Sequence, residues 1–475
     1  MGHAFWVWPF FFPAFRNAGT PDRLKKPGGI TLHHMGGTMA ETTSADASQG
    51  SFITPGYRRY ALGILTVVYS VNYVDRQILS ILLEPIKIDL SLSDTQLGLL
   101  FTTFGIFYAT LGLPIAMLAD RTNRRNVITA SMTIFSGMTA ACGLVTSFWQ
   151  LMIARILVGV GEAGSSPPSH SMIADMYEPK TRATALAVFS LGVNIGIFIG
   201  FLVGGFVAQW YGWRTAFLVV GLPGLVLAGL VHFTLREPPR GHSEGRTDQE
   251  DKEEAPGIME VLRFLLTQPA FRHIAAGATL VSFVGYGAVA WLPPFLVRSH
   301  GMEVGNIGLA LSLIIGIAGG LGTYGAGFLA DKLGQKDIRW YMWVVAAAGV
   351  IAFPFGFSVY LSEDLSWTLA LFIIPAAAGS LYLGPSLAMT QGLARLKMRA
   401  AASALLLFIL NIIGLGLGPQ AVGIVSDLLE PTYGAESLRY ALLIMTPLGL
   451  WGSLHFFLAA KTLGDGLERA KALPA

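Results

Sequence analysis

The feature that most constrains this chain is a series of twelve apolar segments, each long enough to cross a bilayer. They run at roughly 58–83, 96–119, 126–146, 149–173, 183–208, 213–235, 271–297, 305–330, 340–361, 366–393, 400–426 and 437–461. A helix rises about 1.5 Å per residue, so about 20 apolar residues cross the hydrocarbon core. In that medium every backbone N–H and C=O must be satisfied inside the segment, which predicts an all-α integral membrane fold. Composition agrees, with 53% hydrophobic and only 13% charged residues, where a soluble domain carries about 25% charged. The net charge of +3 is too small to imply a nucleic-acid partner. Cys142 is the only cysteine, so neither an intrachain disulfide nor a cysteine-based metal site is expected. There is no phosphate-binding loop, dinucleotide fingerprint or H-E-x-x-H pair, so no cofactor or metal is expected and ATP-driven pumping is argued against. No nucleophile–base set points to an enzyme.

The remaining residues set the domain plan. Residues 1–55 hold an aromatic run of about eight residues, too short to span, followed by a polar Ser/Thr-rich stretch. They read as a disordered extension, with Met35 as an alternative start. A signal peptide lacks its small-residue cleavage site here. Residues 236–270 read as a solvated linker, rich in charge and proline at 236–257. Within it Ile258, Val261, Leu262, Leu265 and Leu266 keep helical spacing, which predicts a short amphipathic helix at the membrane surface. Two six-helix bundles, 56–235 and 271–461, and a tail, 462–475, complete the plan. Alternate loops are basic: Arg121, Arg124 and Arg125; Lys180 and Arg182; the linker; Lys332, Lys336 and Arg339; Arg395, Lys397 and Arg399. Basic loops stay cytoplasmic, which places both termini there. The expected location is a bacterial inner membrane.

The halves repeat. "AMLADRTNRR" follows the second segment and "GFLADKLGQK" the eighth, with Asp120 and Asp331 spaced 211 residues apart. "KTRATALAVFSLGVNIG" and "KMRAAASALLLFILNIIG" place Asn194 and Asn411 217 apart. Two parallel six-helix repeats with a site between them are a transporter architecture.

At these residues the chain resembles the major facilitator superfamily. "GFLADKLGQK" is similar to that family's loop motif, although the first copy has Ala116 and Asn123 where glycines are usual. "RILVGVGEAG" resembles its R-x-x-x-G motif, and glycines recur every fourth residue from Gly192 to Gly204. "NYVDR", "RILVGVGEAG" with "SMIADMY", and "WLPPFLVR" resemble the Spinster branch in particular. That resemblance implies transport of lysolipids or sphingoid phosphates; related carriers that share these motifs take sugar acids and other organic anions. It also implies that the loop acids, Asp120 and Asp331, with Arg121, Arg124, Arg125 and Lys332, form cytoplasmic contacts between the halves and gate them in the outward-open state.

Charges inside the apolar segments are expensive and functional by default. Asp75 and Arg76 lie roughly 22 Å into the first segment, and neighbours on a helix point about 100° apart, so each needs a partner elsewhere. Arg155 in the fourth segment lies near the depth of Asp75, and Glu162 is two turns deeper on the same face. These four form an expected neutral cluster whose pairings one proton exchanges, with Glu162 or Asp75 as the proton site. A structural ion pair that only fixes packing is the alternative. Tyr69, Asn72 and Tyr73 continue a polar stripe through Arg76. The second half has "YGAVA" where the first has "YVDRQ", so its Tyr286, Trp291 and Tyr382 are expected as an apolar cavity wall, or as plain helix packing. Asn194 and Asn411 bond between helices or touch substrate. The expected partners are thus protons, the bilayer and a small-molecule or lipid substrate, most simply an amphiphilic anion. A single chain is expected to suffice. A non-transporting receptor is the rival from another class, and the retained charge cluster argues against it.

Overall fold

The computed structural model describes residues 53–244 and 257–472. Residues 1–52, with Met35, the acidic part of the linker and the last three residues of the tail lie outside the described residues. Everything described is helix or short connection.

The first half opens with α1 (Pro55–Leu90). Thr54 caps it by accepting from Tyr57 N–H, and Pro55 stands where no helical N–H is needed. A left-handed Ser91 ends it. The helix α2 (Asp94–Arg121) starts on a capping box in which Ser93 and Gln96 satisfy each other's backbone N–H. Asn123 and Ser147 cap α3 (Arg124–Cys142) and α4 (Phe148–Glu162) by accepting from the Asn126 and Gln150 backbone N–H groups. The expected fourth span then breaks at Ala163–Ser165, and α5 (Ser166–Met176) restarts on Pro167 and Pro168, which have no N–H to offer the preceding helix. A single long run, α6 (Pro179–Thr234), covers the fifth and sixth segments. Gly212 divides it with φ +83°, a backbone that only glycine adopts freely.

After the linker, α7 (Ile258–Leu266) buries Val261 and Leu265 while Ile258, Met259 and Leu266 stay exposed. The second half comprises α8 (Pro269–His300), α9 (Val304–Leu311), α10 (Gly319–Gly334), α11 (Trp340–Leu361), α12 (Leu365–Ala378), α13 (Leu383–Leu393), α14 (Arg399–Ile409), α15 (Gly418–Tyr433) and α16 (Ser437–Ala472). The last helix runs well past residue 461, and Leu463 is buried against α8 and its neighbours. Wide π-helical turns, Ser312–Ala318 and Leu410–Leu417, join α9 to α10 and α14 to α15. Such turns recur at functional sites.

Seven stretches of the described residues are long and apolar enough to cross a membrane. Two of them, Pro179–Thr234 with 56 residues and Leu396–Ala470 with 75, would measure about 80 and 110 Å if straight. Each is broken, the first at Gly212 and the second at π and 3-10 turns. Large apolar side chains such as Val226, Phe233, Leu321 and Trp367 stand exposed around the outside, as a lipid-facing surface requires and an aqueous one would not.

Glycines set the tightest packing. Cβ atoms added to Gly192 and Gly200 on α6 would fall 2.8 Å from Thr66 O and 3.0 Å from Val74 O on α1. The fourfold spacing therefore lets two backbones lie against each other. The halves meet mainly where α2 packs on α15 and its π turn, and α6 on α9 and its π turn. Those contacts gather at one end of the molecule, here called the closed end. The opposite ends of the same rods, α14 and α10, have no comparable packing on the first half.

Candidate functional site

Asp75 and Arg76 find separate partners on α4. Asp75 Oδ2 accepts from Arg155 Nη1 at 2.9 Å, and Arg76 Nε donates to Glu162 Oε2 at 2.7 Å. Arg155 and Glu162 are seven residues apart, two turns on one face, so the pairs stack along the α1–α4 contact. Asp75, Arg155 and Glu162 are each 1% exposed, so three of the four members are buried, while Arg76 keeps 11% of its side chain exposed. Their net charge is zero, which is the condition for tolerating them there. Asp75 Oδ1 also accepts from Thr139 Oγ1 on α3. Two cluster atoms are buried without a partner, Glu162 Oε1 and Arg155 Nε. Arg76 is clasped by aromatic rings, with its guanidinium 4.4 Å from the Tyr108 centroid and 5.0 Å from that of Tyr73.

Glu162 is the last residue of α4, and the break after it carries Ser165, whose hydroxyl donates to Asn72 Oδ1 at 2.8 Å. Asn72 therefore ties α1 to the break. Tyr69 stacks on Phe189 with centroids 4.5 Å apart and meets Tyr73 edge-on.

A cavity lies between the halves. Tyr73, Arg76, Gln77, Ser80, Phe101, Phe104 and Arg155 line it from one half; Tyr286, Val289, Ala290, Leu415 and Pro419 line it from the other. The first wall is charged and aromatic, the second almost wholly apolar. Tyr382 lies close to Tyr286. Asn194 faces Gly320 across the halves, and the Asn411 carbonyl lies near Gly105.

Trp291 departs from expectation. It is fully buried, and its indole N–H donates to Pro419 O at 2.8 Å, so in this conformation it braces α8 against α15 and does not line the cavity. The loop residues expected to join the halves in the outward-open state make their contacts within each half or with the linker in this conformation. Arg124 is held by Asp175 of the first half and by the linker's Glu237 at 2.6 Å and Pro238 O at 2.8 Å. The Arg125 backbone N–H donates to the same Glu237. Asp331 accepts from Tyr341 OH at 2.6 Å within the second half, and Lys332 lies over Phe328. Asp120 and Arg121 are exposed at the end of α2. These residues lie at the end where the halves are parted, so contacts between the halves have no reach there.

The network that does join the halves was missed by sequence reasoning and sits at the closed end. Arg298 donates to both Asp94 oxygens at 2.7 and 2.8 Å and to Glu84 at 2.8 Å. Lys87 and Ser426 add bonds to Asp94 at 2.7 and 2.6 Å. Asp427 accepts the first two N–H groups of α2, those of Asp94 and Thr95, at 2.9 and 2.8 Å, a favourable place for a carboxylate. Gln209 on α6 bridges to Glu303 and to Gly305 N–H. The capping box at Ser93 signalled a helix start, but nothing local signals a partner 204 residues away.

Two helical halves, a cavity between them with one charged wall, and one closed end define a membrane transporter. The chain matches the Major Facilitator Superfamily over residues 65–461 and belongs to it. It is 35% identical over 419 residues to an MFS-type efflux pump of Mycolicibacterium smegmatis, covering 86% of this chain and 95% of the relative. It is 27% identical over 446 residues to protein spinster homolog 1 of Homo sapiens, covering 88% and 84%. Among solved structures it is similar to a bacterial homolog of the human lysosomal transporter Spinster, in an inward-facing and unoccupied conformation. There the TM-score is 0.80 at 31% identity, covering 87% of this chain and 99% of the other. The protein is an integral membrane protein.

Proposed function

We propose that this protein is a proton-coupled secondary transporter of an amphiphilic anion with a lysolipid-like head and chain. Two six-helix bundles, 56–235 and 271–461, joined by the linker 236–270, rock about the central cavity. Twelve crossings place both termini and the linker in the cytoplasm of a bacterial cell, with the closed end outside. The conformation described here is then the inward-facing one.

The observation that carries the reading is the pairing of Arg76. It lines the cavity, yet among the described residues its ionic partner is Glu162, a buried carboxylate with one oxygen left unserved. A proton on Glu162 cancels that carboxylate's charge and frees the guanidinium for an anionic head. Proton uptake and anion binding are thereby linked through one side chain. The apolar wall around Tyr286, Val289 and Leu415 suits the chain of such a substrate. Asn194, Asn411 and Tyr382 extend the cavity's rim, and Asp120 and Asp331 with their basic neighbours gate the cytoplasmic end when it closes. A second reading, a proton-linked carrier of drugs or of small organic anions such as sugar acids, is favoured by the relative named as an efflux pump.

The test is uptake into proteoliposomes of lysolipids, sugar acids and cationic drugs, with and without an imposed pH gradient. Accumulation of a lysolipid should rise with the gradient. Glu162→Gln should lose at least about tenfold of that gradient-driven accumulation, roughly what 1.4 kcal/mol of coupling supplies, and should keep substrate exchange. Full accumulation by both Glu162→Gln and Asp75→Asn would sink the proton-coupled reading.

A further inference from the structure

We propose that Thr139 is a positioning residue whose hydroxyl, together with Arg155, holds Asp75 as a carboxylate and so leaves Glu162 as the cluster's one titrating acid. This deepens the proton-coupled reading above and rests on it for its functional meaning.

The argument is a count of protons and acceptors. Thr139 is 1% exposed on α3. Its Oγ1 lies 2.8 Å from Phe135 O, one turn back, and also touches Asp75 Oδ1 on α1. A hydroxyl has one proton to give. Elsewhere in this fold threonines give it to the carbonyl one turn back, as Thr66, Thr110 and Thr133 do. Thr139 alone among these four has a carboxylate as a second acceptor, and an ionised oxygen draws the proton more strongly than a carbonyl does.

The two acids of the cluster are then served unequally. Asp75 accepts on both oxygens, from Arg155 on one and Thr139 on the other. Glu162 accepts on Oε2 from Arg76 while Oε1 is buried with nothing to accept from. The groups facing Asp75 are Arg155 and Glu162 from α4, Thr139 and Cys142 from α3, and Arg76 beside it on α1. The α6 side contributes close-packed backbone, with Gly200 against Val74. With two acids and two arginines the charges balance, so the distribution of donors decides which acid gains most from a proton. Threonine suits the place because its branched β-carbon stiffens the side chain and keeps the hydroxyl in position.

The experiment is infrared difference spectroscopy of the purified full-length protein, titrated by pH in lipid nanodiscs, in the protonated-carboxyl stretching region. The wild type should show one carboxyl band from the buried cluster, identified as the band that Glu162→Gln abolishes and Asp75→Asn retains. Thr139→Val should add a second band of about equal amplitude, abolished when Asp75→Asn is combined with it. Thr139→Ser, which keeps the hydroxyl, should behave as wild type, and Thr139→Ala serves where the valine variant does not purify. A single unchanged band in both Thr139→Val and Thr139→Ala would show that Thr139 only packs. A wild-type band lost in Asp75→Asn instead of Glu162→Gln would overturn the assignment as well. Gradient-driven uptake by the wild type judges proton coupling separately. Its absence alongside the expected band pattern would remove the coupling reading and leave the role of Thr139 standing.

Discussion

The molecule carries two ion networks built from the same residue types for different ends. The buried cluster joins α1 to α4 inside one half, with Asp75 to Arg155 and Arg76 to Glu162. The closed-end network joins the halves themselves, with Arg298 of α8 reaching Asp94 and Glu84 across the seam. The first lies within one half, so the rocking proposed above would carry both its helices together. The second spans the seam, so the same motion would break it. Placement alone therefore separates a device that stores charge from one that fastens a conformation.

The largest expected effect comes from Arg155→Ala, which strands Asp75 in a site without water. Breaking a buried pair on one side costs about 3–5 kcal/mol. Thermal unfolding in detergent should show a large loss, most of it recovered in the Asp75→Ala, Arg155→Ala double variant. Wild-type stability in the single variant would mean that the cluster is solvated after all.

Arg298→Ala should cost a similar 2–5 kcal/mol at the seam, but the cost falls on one conformation only. That energy corresponds to a population shift of roughly thirtyfold or more toward an opened seam. Labelling of Gln420→Cys, which sits against Gly98 where α2 meets α15, by an impermeant maleimide should rise accordingly. Unchanged labelling would show that the network is not the fastening.

Asp427→Asn is gentler, since the amide oxygen still accepts one N–H of α2 while the charge and one acceptor are lost. A carboxylate at a helix N-terminus is worth about 0.3–1 kcal/mol, and up to about 2 where partly buried. The same labelling should rise by roughly two- to thirtyfold. Lys87→Ala should do least, below about 1 kcal/mol, because Lys87 is the most exposed of the side chains bonded to Asp94, which keeps Arg298 and Ser426. A larger effect for Lys87 than for Arg298 would invert the picture of which residue carries the seam.

The grouping of Asp75, Arg76, Arg155 and Glu162 was legible in the sequence because helical rise and the alternation of spans put them at neighbouring depths. Their pairing was not, since which arginine meets which acid depends on the rotation of α1 against α4. Thr139 was invisible for a different reason: a threonine on an apolar helix normally satisfies itself on its own backbone. The closed-end network lay hidden in residues that read as loop and cap. Asp94 follows a capping serine and Arg298 ends an apolar helix, and neither position announces the other. Trp291 looked like a cavity wall because its helix faces the cavity. The structure turns its ring into the α8–α15 contact, where its N–H finds the Pro419 carbonyl. The π turns at Ser312–Ala318 and Leu410–Leu417 carry no sequence mark, although they are where the second half touches the first.

The amino-acid sequence by itself determined that this chain is an all-helical membrane protein built on an internal repeat and that the charges buried within its apolar segments lie in its first half. Those properties follow from the length and spacing of apolar runs, and each run answers to the solvent around it. Only the tertiary structure decided which end of the molecule is shut, which acid is served on both oxygens and which is left with one bare. Those outcomes depend on how closely separate helices approach, and hydrogen bonds and ion pairs form only within about 3 Å.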